Sequence, residues 1–399
     1  VGSAATSRRL SAALFAGGIA TFAELYAVQA VLPALASEWD LSESTAALAV
    51  SVATGALAVS VLPWAAVADR IGRARAMTIS GVVAAVAGGL LPLAPSFGVL
   101  LVLRAVSGLA LGALPALAMA HLVATVARGR AAAVGGLYIA GTTIGGLSGR
   151  VLTGAVASVA GWRWGVATTA ALVAVAVVIF VALLPRGVDA RVGRIGARGR
   201  VPRPGRRQGQ WQRIALALAD RTVLVFYAQA FLLMGAFVTV YNLLGFRLLD
   251  DPYRLPASVV SLLFLTYLVG TVGSSAVGRM VGRFGRRPVL AGAGYGMAAG
   301  AVLMLAAPLG IVLTGLVVTT FCFFVAHAIA ATWAGERVPA ARSQASALYS
   351  LAYYAGSSLL GFAGALIYDG AGWTGAMIMV VGCVSTAATL ALVGAPRVA

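Results

Sequence analysis

The sequence predicts an all-α integral membrane protein, with 12 transmembrane helices arranged as two pseudo-symmetric six-helix bundles. Three observations carry that prediction. Hydrophobic residues fill 61% of the 399 positions and charged residues only 10%, at a mean hydropathy of +0.96; a soluble fold of this length needs far more charge to cover its surface. The arginines gather in alternate loops. The loops after the second and the eighth apolar runs repeat one motif.

A membrane-crossing helix takes ~20 apolar residues. Twelve runs qualify, at 11–33, 45–67, 76–95, 98–121, 131–157, 163–184, 221–246, 257–279, 288–306, 310–333, 345–368 and 374–394. The first is too long, and too well followed by similar runs, to read as a cleavable leader. Glycine, at 49 residues, weakens soluble helices but lets membrane helices approach closely. All 29 basic residues are arginine. With the N-terminus placed in the cytoplasm, 24 of them fall in cytoplasmic segments, three (Arg163, Arg247, Arg254) in outer loops and two (Arg104, Arg150) within spans. That bias predicts two cytoplasmic termini. Glu38, Asp40, Glu43, Asp250, Asp251 and Asp369 then gather outside. The net charge of +18 is thus read as loop anchoring, not nucleic-acid binding.

Enzyme classes find no support. Cys322 and Cys383 sit in apolar runs as small packing residues, with no metal-ligand spacing and no disulfide framework. No Gly-x-x-x-x-Gly-Lys-Ser/Thr loop is present, which excludes an ATP-driven pump of that type. No catalytic residue, metal or cofactor is expected.

The chain divides into a bundle at 1–184, a basic linker at 185–213 and a second bundle at 214–399. The linker is rich in Gly, Pro and Arg and reads as a cytoplasmic tether, and "QWQRIALALAD", which overlaps its end, reads as a short interfacial helix leading into the seventh run. "VADRIGRAR" at 67–75 recurs as "MVGRFGRRP" at 280–288, an offset of 213. "AGTTIGG" at 140–146 pairs with "AGSSLLG" at 355–361, and "AGW" precedes both the sixth and the twelfth run. Such parallel repeats place a binding site near the midplane between the halves.

Ionisable groups inside the spans are the functional candidates. Glu24 is the only carboxylate deep within any run. Low dielectric disfavours its charged form, as a proton-coupling group requires; a permanent salt bridge to an arginine is the alternative. Arg104 and Arg150 both fall in the outer half, ~10 Å below the outer surface by the helical rise. A lipid-facing Arg there costs at least ~2.5 kcal/mol, so each faces the bundle interior. Each either satisfies backbone carbonyls or serves as counter-charge to Glu24 or to an anionic substrate. His327, in the tenth run, titrates near physiological pH and is the second proton-relay candidate. Aromatic and amide residues supply a candidate cavity: Tyr26 and Gln29 in run 1, Tyr138 in run 5, Tyr227, Tyr241 and Asn242 in run 7, Tyr267 in run 8, and Tyr349, Tyr353 and Tyr354 in run 11.

Over its whole length this pattern resembles the major facilitator superfamily. "AAVADRIGRAR" is similar to the family's loop 2–3 signature, matching it at Asp69, Arg70, Gly72 and Arg73, while Ala65 and Ala74 replace its leading Gly and its Lys. "LVLRAVSGLALG" is similar to the span 4 motif built on Arg104 and Gly108. "GTTIGG" is similar to the span 5 antiporter motif through Gly141, Gly145 and Gly146, with Thr142 where the motif has Pro. The two together look like the 12-span drug:proton antiporters, and "TFAELYAVQAVLP" looks most like the YnfM-type transporters of the bacterial inner membrane. The resemblance implies that Asp69, Arg70, Gly72 and Arg73 form a conformational latch on the cytoplasmic side. It implies a monomer in the lipid bilayer that exports drugs or amphipathic metabolites in exchange for protons. A narrow-specificity transporter of an organic anion using Arg104 or Arg150 is the alternative. A non-transporting sensor on the same fold is a third reading.

Overall fold

The computed structural model describes residues 4–126, 128–185 and 210–396. Residues 186–209, most of the basic linker, lie outside them. All elements among the described residues are helical. Nine helical stretches among them are long and apolar enough to cross a membrane. They are span 1 (Thr6–Trp39), span 2 (Glu43–Ile71), span 3 (Arg73–Leu93), span 4 (Phe97–Leu122), span 6 (Trp162–Leu183), span 7 (Arg221–Leu249), span 8 (Ala257–Phe284), span 10 (Leu309–Arg337) and Pro339–Gly394. Arg128–Ala160 and Arg286–Leu303 are spans 5 and 9. The last stretch leaves helical geometry at Gly372 (φ 63°, ψ −165°), which separates span 11 (342–371) from span 12 (373–394). The 12 helices read from the sequence are therefore present, and spans 1, 2, 8 and 10 extend past their apolar limits by a turn or more.

Span 2 passes into span 3 through the single residue Gly72, and span 8 into span 9 through Gly285, its counterpart one repeat later; φ is +89° and +82°. Only glycine enters that region without strain. The short helix Gln210–Ala219 precedes span 7, and its Ala217 packs on Ala341 and Ala345 at the start of span 11.

Three spans change winding near mid-depth. Span 1 leaves α geometry at Tyr26 (φ −116°, ψ 1°) and runs as 3-10 helix over Ala27–Val31. Span 4 breaks at Gly112, ahead of Pro115, and span 8 tightens over Leu263–Thr266. Such breaks free backbone carbonyls, which in a bilayer must find other donors.

The packing of the halves differs at the two ends. One buried cluster runs from Leu25, Val28 and Leu32 in span 1 through Val50 and Leu57 in span 2 to Phe237, Val240 and Leu244 in span 7. It joins both halves toward the end that carries the acidic loops. Nearer the arginine-rich end, Leu10, Leu14, Met77, Leu117 and Phe180 form a separate cluster within the first half. Hydrogen bonds between the halves lie toward the acidic end: Ser44 N donates to Asp369 Oδ1 at 3.1 Å and Ser358 Oγ to Ser51 O at 2.7 Å.

Candidate functional site

Between the halves lies a cavity of about 530 Å³, within the range of small-molecule sites. Its first-half wall is a helical stripe on span 5: Ile139, Thr142, Thr143, Gly146 and Arg150. Phe22 and Tyr26 of span 1, one turn apart, continue it. Opposite stand Tyr267 of span 8, Phe323, His327 and Thr332 of span 10, and Ser346, Tyr349, Tyr353 and Tyr354 of span 11. The 3–4-residue spacing on each helix is that of a single face. Thr332 and Ser346 lie near the arginine-rich ends of their helices, so the cavity opens toward that end and narrows at Arg150.

Arg150 forms the roof. It is 1% exposed. Its Nε donates to Gln29 Oε1 and its Nη1 to the Gly146 carbonyl, each at 2.6 Å. Its guanidinium carbon lies 4.2 Å from the Tyr26 ring centroid and 4.7 Å from that of Tyr267. Gln29 Nε2 in turn donates to Asn242 Oδ1 at 2.6 Å. Spans 5, 1 and 7 are thus tied in one chain that crosses between the halves. Gln29 and Asn242 lie in this roof and not among the cavity-lining residues. Tyr241 lies beside it, its hydroxyl paired with Thr266 and Thr320 at 2.6 and 2.7 Å.

Glu24 faces the other way. Two residues from both Phe22 and Tyr26, it lies ~200° around the helix from each, away from the cavity and toward spans 3 and 4. Arg104 meets it there, fully buried. Arg104 Nε donates to Ala49 O at 2.7 Å, Nη1 to Glu24 O at 2.9 Å and Nη2 to Leu25 O. The last two acceptors are carbonyls freed where span 1 changes winding. The Glu24 carboxylate stands 3.7 Å from Nη1, an ion pair without a hydrogen bond, and its Oε1 takes none. Its other oxygen lies over Gly88, where a Cβ would overlap it. Arg104 thus donates to three backbone carbonyls and stands within ion-pair distance of Glu24.

His327 does line the cavity. Its Nδ1 pairs with the Tyr349 hydroxyl at 3.0 Å, and its ring lies 4.8 Å from Tyr353. Of the predicted cavity aromatics, Tyr26, Tyr138, Tyr267, Tyr349, Tyr353 and Tyr354 are in the wall; Tyr227 is not. Phe22, Phe237, Phe323 and Phe324 were not singled out from sequence. The i, i+4 recurrence of aromatics with Tyr26 and with Tyr349–Tyr353 was the signal for such faces.

The span 5 glycines have separable tasks. A Cβ on Gly141 would overlap Phe15 O and one on Gly145 Ile19 O, so these two let spans 1 and 5 pack backbone to backbone. Gly146 faces the cavity, with Arg150 Nη1 3.2 Å from where its Cβ would be. In the loop motif, Arg73 donates to Ala120 O of its own half at 3.3 Å, and Asp69 and Arg70 are exposed, at the end where the cavity opens. One repeat later, Arg286 pairs with Glu336 of its own half at 2.5 Å.

The Major Facilitator Superfamily model matches residues 14–272. The chain belongs to that superfamily. It is 34% identical over 375 residues to the uncharacterized MFS-type transporter YybF of Bacillus subtilis, covering 94% of this chain and 90% of that one. It is 34% identical over 367 residues to the inner membrane transport protein YnfM of Escherichia coli, covering 92% and 86%. A crystal structure of a D-xylose–proton symporter superposes with a TM-score of 0.76 at 14% identity, over 99% of this chain and 98% of that one, which shows the shared fold. This superfamily chain is a multi-pass membrane transporter and not an enzyme.

Proposed function

We propose that this transporter exports an amphipathic organic molecule across the bacterial inner membrane by alternating access, in exchange for protons. The observation that carries this reading is the cavity itself. It sits at the junction of two repeat-related halves, sealed toward the acidic end and open toward the arginine-rich end. The arginine bias assigns the open end and both termini to the cytoplasm. Residues 1–184 and 214–399 are the rocking bodies, joined by the tether at 185–213, in a monomer. Rocking closes the open end, and in that closed state Asp69, Arg70 and Arg73, turned by Gly72, bridge the halves as the latch.

Glu24 is the proposed proton site. A permanent salt bridge would need its carboxylate to satisfy Arg104. Here backbone carbonyls make the hydrogen bonds to Arg104, so the carboxyl can gain or lose a proton without orphaning it. Its position beside the break in span 1 lets a change in that helix alter its access to water.

Everted vesicles with an internal pH dye test the reading. Addition of a transported compound dissipates the proton gradient in the wild type, and correctly inserted Glu24→Gln abolishes that response. Equal responses in both would remove Glu24 from the coupling path; no response to a panel of organic cations, neutral compounds and anions would remove proton antiport.

A further inference from the structure

We infer that the roof of the cavity is a carboxylate-binding site: Arg150, clasped between Tyr26 and Tyr267, holds the anionic group of a small organic acid whose flat, apolar body lies among the aromatic rings below. This rests on the transport reading above and names its substrate class.

The charge balance of the wall is the first argument. Among the described residues, Arg150 is the only one of fixed charge lining the cavity, and no Asp or Glu lines it. The other intramembrane pair, Glu24 with Arg104, is self-compensating and turned away. Among the described residues no carboxylate lies within ion-pair distance of Arg150. A nearly buried guanidinium without a counter-ion is costly, and a cationic solute in this cavity would meet it unscreened.

Geometry is the second argument. Nε and Nη1 are committed to neutral acceptors, whereas Nη2 makes no hydrogen bond among the described residues. The rings of Tyr26 and Tyr267 fix the guanidinium from opposite halves of the protein. Tyr26 is 2% exposed and its ring lines the cavity, while its hydroxyl is buried beside Ser357. The uncommitted Nη2 suits a carboxylate oxygen through a charge-assisted hydrogen bond. Below it, Phe237 and Phe323, stacked at 3.9 Å, and Tyr353 form an aromatic wall for an apolar body.

The test is calorimetric titration of purified full-length protein with three isosteric probes: 2-naphthoate, 2-naphthamide and 2-naphthylmethylammonium. Benzoate with benzamide, and indole-3-acetate with its amide, complete the panel. At least one acid is expected to bind about tenfold or more tighter than its amide, as a charge-assisted hydrogen bond implies. The ammonium should bind weakest. Arg150→Gln should erase the acid-over-amide preference, and Arg150→Lys should keep part of it. Should Arg150→Gln fail to fold, Gly146→Asp places a carboxylate one turn from Arg150 on the same face, and should shift preference from the acid to the ammonium. The inference is overturned if no acid outbinds its amide, or if the preference survives both Arg150→Gln and Gly146→Asp. Vesicle flux separates the two failures: proton-coupled flux of neutral or cationic compounds without acid binding leaves the transport reading standing. Acid binding without flux of any compound leaves the site and removes the transport reading.

Discussion

Gln29 donates to Asn242 across 2.6 Å, and the two stand 213 positions apart, the same offset that lays Arg70, Gly72 and Arg73 over Arg283, Gly285 and Arg286. Residues related by a pseudo-two-fold axis touch each other only beside that axis. The pair therefore marks the axis at the sealed end of the cavity, where separation of the halves must begin. Gln29→Leu leaves Arg150 Nε and Asn242 Oδ1 unpaired, at about 1–3 kcal/mol for each buried group. The expected result is a population shift away from the state closed at the acidic end. With Cys322 and Cys383 replaced by Ala, a Thr332→Cys reporter at the open end should be labelled several-fold more slowly in the Gln29→Leu background. Unchanged labelling would show that the bond does not hold the seal.

Arg104 and Glu24 should differ sharply on truncation, although they form one pair. Arg104→Met removes the donors to three carbonyls and leaves a buried carboxylate alone, which costs about 3–5 kcal/mol. Glu24→Gln keeps every Arg104 hydrogen bond and loses only the counter-charge, so it should cost less, about 1–3 kcal/mol. Melting of the purified variants in one detergent checks this: a large drop for Arg104→Met and a smaller one for Glu24→Gln. Equal drops would mean that the ion pair, and not the carbonyls, fixes span 4 to span 1.

The architecture was legible because bilayer physics leaves few choices. Apolar length gives the spans, and the cost of a lipid-exposed charge turns Arg104 and Arg150 inward. Helical phase holds what the residue-by-residue reading did not use. Phe22 and Tyr26 share a face that excludes Glu24, and Arg150 continues the stripe through Thr142, Thr143 and Gly146. Three-dimensional detail was hidden where local winding changes. Nothing in "ELYAVQAV" announces the 3-10 segment at Ala27–Val31, and it is that segment which frees the Glu24 and Leu25 carbonyls for Arg104. The contact between Gln29 and Asn242 needed the repeat to be read as an axis as well as a duplication.

Within the span 5 motif, Gly145 and Gly146 are adjacent yet should respond very unequally to the same methyl group. At Gly145 an added Cβ overlaps the Ile19 carbonyl, a backbone atom that cannot step aside. Spans 1 and 5 would have to separate, at about 1–3 kcal/mol. At Gly146 the nearest atom is Arg150 Nη1 at 3.2 Å, with Phe22 Cβ at 3.9 Å, so a small shift of a side chain suffices. Gly145→Ala should lower the melting temperature clearly and Gly146→Ala only marginally. A reversed order would place the helix contact on the wrong glycine.

His327 is on the cavity wall and Glu24 is not, so the two proton candidates can be separated by what each variant changes. The His327 ring is held by the Tyr349 hydroxyl at 3.0 Å and by Phe323 and Tyr353 on its flanks. Among the described residues no charged partner accompanies it, and its neighbours are those of a substrate-contacting residue. His327→Asn retains a hydrogen-bonding side chain near Tyr349 and removes the titrating ring. The expected outcome is a several-fold rise in KM for a transported compound, with protons still moving in exchange. Glu24→Gln should instead abolish proton exchange while substrate binding persists. Loss of proton exchange in His327→Asn with KM unchanged would transfer the coupling role from span 1 to span 10.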